Sequence, residues 1–162
     1  LSSTWKQDYY ELKNPKKYIG KNSPFFRSSW EERWMYYCDH NTNVVRWASE
    51  LVNIPYLYEI ENKKRTYITD GYMEVLDKNG KIQKYIVEIK PEKQGPILTE
   101  RGFDYSNKPK EPKRKTKKSV ENYQYAMKKY VENKNKWESA IKYCNKKGYK
   151  FVLINKKDLN LL

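Results

Sequence analysis

An Asn79-Gly80 pair stands between two extended runs, residues 65–76 and 81–90, and such a pair between β-forming segments predicts a two-residue type I′ hairpin. Two short strands are expected ahead of it, at 44–47 and 52–58, the second crossed by Pro55 and therefore placed at an edge or a bend. Beyond a long polar loop, residues 119–147 keep apolar side chains at helical spacing, with Asn133 and Asn135 as a point where the helix could break and Gly148 as its C-terminal cap. Residues 151–154 form an unbroken apolar run, the pattern of a strand covered on both faces. The order of helix, hairpin strands, helix and strand predicts an α/β or mixed α+β fold around a mixed central sheet flanked by helices.

The first helix starts near Ser28, since Ser28 and Ser29 are each followed three residues later by a glutamate, the capping-box spacing. On a helical wheel Trp30, Trp34, Met35, Tyr37 and Cys38 share one side, and Glu31 falls inside that apolar arc while Glu32 falls outside. A carboxylate turned inward is costly without a cation or donors to meet it. A metal ion would serve, as would an arginine such as Arg46 or Arg65. Residues 1–26 show no clear period and read as an N-terminal arm or short helix leading to Pro24. Residues 27–162 read as one domain with a basic loop at about 95–118.

Lysine and arginine outnumber aspartate and glutamate by 34 to 20, a formal charge of +14, which predicts attraction to a polyanion. The excess gathers at Lys108, Lys110, Lys113, Arg114, Lys115, Lys117 and Lys118, opposed only by Glu111. This segment reads as a mobile phosphate-contacting loop, or as a solvated linker. Cys38 and Cys144 lie far apart and share no metal-ligand spacing with the single His40, so a zinc site is not expected and reduced cysteines of an intracellular chain are. His40 reads as a helix-end or surface residue. No apolar run approaches the roughly 20 residues of a membrane span, and no secretory signal pattern is present.

Side chains alternate across a strand, so Tyr85, Val87 and Ile89 share one face while Ile86, Glu88 and Lys90 share the other. Asp70, on the preceding hairpin strand, is placed to bring its carboxylate to that of Glu88. Two hard carboxylates suit Mg²⁺ or Mn²⁺, which keep several waters and bind substrate phosphate; a lysine beside them can orient water or offset charge on a phosphate. Glu31, reaching the same pocket, would complete the shell. This is the equipment of a metal-dependent phosphodiesterase. The competing reading makes Glu88 and Lys90 an ion pair on a solvated face, with Asp70 a strand-end residue.

Longer stretches add to the acid-and-lysine pattern: Tyr18-Ile-Gly-Lys, Phe26-Arg-Ser-Ser-Trp-Glu31, Val45-Arg-Trp, Ile54-Pro-Tyr, Arg65-Thr-Tyr-Ile-Thr-Asp70, Val87-Glu-Ile-Lys-Pro91 with Lys93-Gln94, and Lys136-Trp-Glu-Ser-Ala140 through Cys144 and Gly148 to Phe151-Val-Leu-Ile. In this order they resemble the head-completion nucleases of T-even-like phages, a branch of the PD-(D/E)xK nucleases related to the TnsA transposon endonuclease. The resemblance implies a restriction-endonuclease-like core. It assigns Asp70 and Glu88 as the motif's acids, Lys90 as its lysine, Glu31 as the helix glutamate and Ile89 as a metal ligand through its carbonyl. Gln94 becomes a DNA contact along with the basic segment. It further implies a Mg²⁺-dependent deoxyribonuclease acting on packaged double-stranded DNA during head completion and head–tail joining. Its partners would be head, portal or neck proteins, its location the virion and, during assembly, the host cytoplasm. Thr69 stands where the motif usually has proline and Gly71 where the family often has an aromatic residue, departures expected to loosen the strand around Asp70. The alternative is a weak or inactive structural head or neck protein that binds the DNA end. A transposon-type end-cutting subunit and an RNA binder are further readings.

Overall fold

Helix α1 (Ser29–His40) begins where the Ser28 hydroxyl accepts the Glu31 backbone N–H at 3.2 Å, the capping expected from the sequence. The computed structural model describes residues 7–89 and 94–160. Before α1, β1 (Asp8–Tyr9) pairs antiparallel with β2 (Phe25–Phe26), and a 3₁₀ turn at Pro15–Lys17 lies between them. The arm is thus a short β ladder. It is tied to α1 by Asp39, a buried acid that accepts the Tyr10 hydroxyl and the Lys13 and Asn14 backbone N–H groups.

The central sheet contains β3 (Val44–Ser49), β6 (Gly71–Leu76), β7 (Ile82–Ile89) and β10 (Lys150–Ile154) in the order β10-β7-β6-β3. Only the β10–β7 pair is parallel, so the sheet is mixed, as expected. Its parallel pair is joined through α2 (Lys117–Lys147), and α3 (Lys156–Asn160) follows β10. The faces divide as the alternation in β7 predicts. Val87 and Ile89 pack with Trp34, Met35, Cys38 and Trp47 on the α1 side, while Ile86 packs with Tyr67, Trp137, Ala140 and Phe151 on the α2 side.

Four local expectations change. Residues 65–76 are not one strand: β5 (Lys63–Ile68) pairs with β4 (Asn53–Tyr58) in a separate two-stranded sheet, and the chain turns through Thr69 and Asp70 before entering β6. Asp70 therefore lies at a corner between sheets. The Asn79-Gly80 turn is not type I′, because Gly80 (φ 76) has positive φ while Asn79 does not; the Asp77 carboxylate, accepting the Asn79 and Lys81 N–H groups, shapes the turn instead. The stretch read as loop carries a hairpin, β8 (Ile97–Thr99) with β9 (Gly102–Asp104).

Helix α2 starts two residues earlier than expected and runs unbroken through its asparagines. The Asn133 amide donates to the Gln94 carbonyl and the Asn135 side-chain oxygen accepts the Glu59 N–H, both at about 3 Å. Their polar ends satisfy neighbouring backbone rather than competing with the helix's own.

Candidate active site

The corner at Asp70 is built from three directions. On the β4 side, the Thr69 N–H and hydroxyl both donate to the Val52 carbonyl, at 3.1 and 2.8 Å, and Thr69 is fully buried. This ties the residue before Asp70 to Val52, the residue that leads into β4. On the β7 side, the Asp70 carboxylate accepts the Ile89 N–H at 2.7 Å. On the α1 side, Gly71 lies so close to Trp34 that a Cβ would come within 2.1 Å of the indole.

Glu88 is buried, 5% exposed, and accepts the Tyr67 hydroxyl from β5. A solvated ion-pair face is thereby excluded for it. Asp70 and Glu88 meet at this corner, and burial followed by the Glu88 charge pushes the Asp70 carboxyl well above the usual carboxylate range, with the Ile89 N–H a smaller opposing influence. Two acids brought together where one is buried and the other partly so repel unless a proton or a cation lies between them. That chemistry fits a divalent ion held by both carboxylates.

Glu31 lies three residues before Trp34 on α1, and its charge is felt at Asp70. Burial raises its carboxyl and the Arg27 backbone N–H, which donates to it, draws it partly back. Neither suggested arginine serves it: Arg65 pairs with Glu61 at 2.9 Å and Arg46 sits opposite Glu74. Among the described residues no group of three or more His, Cys, Asp and Glu side chains is arranged to hold an ion. Asp70 feels the Glu88 charge more strongly than that of Glu31. Lys90 lies outside the described residues.

Tyr67 was not singled out from the sequence, although its position two residues before Thr69 on an alternating strand places it on the inward face. Besides binding Glu88, its ring has the Lys136 ammonium 5.6 Å from its centroid.

Within the basic segment, Lys108 is placed away from this corner. Lys108 lines a cavity of about 420 Å³ with Glu59, Tyr105, Tyr130 and Lys134, beyond the far end of β4, whereas Asn53 at its near end pairs with Ile68 just before the corner. Lys110, Lys113, Arg114 and Lys115 are exposed, Lys115 pairing with Glu111 at 3.8 Å, and Lys117 and Lys118 belong to the first turn of α2 rather than to the loop. Gln94 is exposed, its carbonyl bound by Asn133. His40 is exposed and stacks on Tyr36, while Cys38 and Cys144 are free, buried thiols in different clusters. Among the described residues no helix is long and apolar enough to cross a membrane.

The chain matches the model of the TnsA-like endonuclease N-terminal family over residues 41–156, a span that includes Asp70 and Glu88 but not Glu31. It is 30% identical over 151 residues to the head completion nuclease of Enterobacteria phage T4, covering 93% of this chain and 91% of that protein. No solved structure matches it. A mixed sheet between helices, an acid pair at a sheet corner and these two matches agree, and the chain belongs to the TnsA-like endonuclease family of nucleases.

Proposed function

We propose that this protein is a Mg²⁺- or Mn²⁺-dependent deoxyribonuclease that acts on packaged phage DNA during head completion and head–tail joining. The observation that carries the reading is the meeting of partly buried Asp70 with buried Glu88 at the sheet corner, within a family of endonucleases. The T4 relative's name supplies the biological setting; double-stranded DNA, head or neck proteins as partners, and a place in the virion follow from it.

In this reading Asp70, Glu88 and the Ile89 carbonyl hold the ion, with Glu31 as outer support. When bound, such an ion neutralises charge on the phosphate and makes its water a stronger nucleophile. The Ile89 N–H fixes the Asp70 carboxylate. Tyr67 holds one oxygen of Glu88. Lys90, the motif's lysine two positions after Glu88 in the sequence, would orient the attacking water or offset negative charge on phosphorus. Hydrolysis joins the water oxygen to phosphorus, breaks the bond to the leaving sugar oxygen and delivers a proton to that oxygen.

Supercoiled plasmid incubated with the protein, with and without Mg²⁺ or Mn²⁺, tests the proposal. Cutting is expected only with the ion and is lost in Asp70→Ala and in Lys90→Ala while DNA binding persists; cutting that survives both substitutions removes the site assignment. Salt-sensitive DNA binding with no cleavage under any divalent ion would identify a structural DNA-end binder instead.

A further inference from the structure

Glu50 has φ 50, a left-handed backbone conformation that residues with side chains seldom adopt. It lies beside the acid pair, its N–H donating to the Asp70 carbonyl at 3.2 Å. Glycine or asparagine would occupy this turn at less cost, so a glutamate here points to work done by the side chain. That side chain forms an ion pair with the Arg27 guanidinium.

Arg27 is itself tied to the site, since its backbone N–H holds the Glu31 carboxylate. Its guanidinium lies 5.5 Å from the centre of the Phe25 ring, so a packed aromatic and a carboxylate set where it points. Both charged groups remain about half exposed, 54% for Arg27 and 43% for Glu50. A pair so wet is weak and exchangeable. It opens onto a groove of about 760 Å³ whose lining includes Lys21, Asn22, Ser23 and Asn53. Glu50 is the one acid among the lining residues described, and Arg27 already matches it, leaving Lys21 and neutral donors facing the groove.

We propose that this groove carries a DNA strand to Asp70 and Glu88, with Arg27 as a residue that grips a backbone phosphate and Glu50 as the positioning residue that holds the guanidinium aimed until DNA arrives. The proposal rests on the nuclease reading and extends it to a path distinct from the basic segment. The ligand is the phosphodiester backbone rather than a base. A planar guanidinium fork matches two phosphate oxygens, and short amide and hydroxyl side chains are ordinary phosphate donors. Phosphate would replace the Glu50 carboxylate on Arg27 with a second anion of similar geometry.

The test uses the full chain and a labelled DNA duplex, with affinity measured over a salt series without divalent ion and steady-state cleavage with Mg²⁺ or Mn²⁺. Arg27→Ala is expected to lower the salt slope by about one ion and to weaken binding by roughly tenfold or more. It should raise KM much more than it lowers kcat. Arg27→Lys keeps the slope and recovers part of KM. Arg27→Gln, which retains the stem over Phe25, guards against a folding defect: an unchanged slope and KM in this variant overturns the phosphate assignment. Glu50→Gln should leave affinity equal or tighter while slowing cleavage several-fold; full-speed cleavage overturns its positioning role. A reduced slope in Arg27→Ala and Arg27→Gln together with a wild-type protein that never cuts would leave the phosphate grip standing and the nuclease reading refuted.

Discussion

The Trp34 indole lies against the α-carbon of Gly71, leaving no space for even a methyl group, and this contact seats the amino-terminal half of α1 beside the aspartate at the sheet corner. Gly71→Ala must displace either the helix or the strand. It is expected to cost about 1–3 kcal/mol, as overpacking of a tight core does, and to reduce cleavage further by moving Asp70. Urea denaturation and plasmid cutting measure the two effects; a variant as stable as the parent would show that the contact yields freely.

Asp70 sets a pH dependence of defined sign. Burial and Glu88 raise its carboxyl in the folded chain, so its contribution to stability is fully present below the unfolded value and is lost as pH rises through the folded one. Ion-free protein should lose thermal stability as pH increases from the acid range towards neutrality, and Mg²⁺ or Mn²⁺ should restore it. Asp70→Asn should flatten the profile and abolish the ion's effect. Melting temperatures over a pH series with and without divalent ion provide the measurement, and a wild-type profile indifferent to both would refute the cation assignment.

Thr69 spends two donors on one carbonyl. Thr69→Val removes the hydroxyl alone and should cost about 1 kcal/mol; Thr69→Pro, although it restores the residue usual in the motif, removes both donors and should cost more. Thermal unfolding of the pair ranks them. Proline proving the more stable would mean that these hydrogen bonds do not secure the corner.

Asp39 works in the opposite direction to Asp70. Burial pushes its carboxyl up, but the Lys13 and Asn14 N–H groups and the Tyr10 hydroxyl outweigh that and hold it below the usual range. Its contribution is present above the unfolded value and lost as pH falls through the folded one. Asp39→Ala should cost about 2–4 kcal/mol by leaving those donors buried without an acceptor, and should expose the segment around Lys13 to protease. Limited proteolysis at neutral pH and again near pH 3 shows whether arm release follows the carboxyl.

Much of this was legible because it depends on short-range rules. The Ser28 cap, the alternation that sends Ile86 and Val87 to opposite cores, and the Gly148 cap, φ 73, are written in neighbouring residues. The two-sheet corner was not, since residues 63–68 and 71–76 are both extended and only the partners of β5 and β6 reveal that they differ. Asn133 and Asn135 pointed to a break by propensity; their acceptor and donor, Gln94 and Glu59, are remote in sequence. Glu31 stood out on the helical wheel, whereas its hydrogen-bond donor, the backbone of Arg27, precedes the helix and follows no side-chain pattern.

Asn133 and Asn135 are two positions apart and so project about 200° from one another around α2, one gripping the chain just after the acid motif, the other the tip of the β4–β5 hairpin. The middle of that helix is consequently an axle with a spoke on either side. The hairpin tip at Glu59 and the chain at Gln94 are thereby held to one another across the same half-turn of helix.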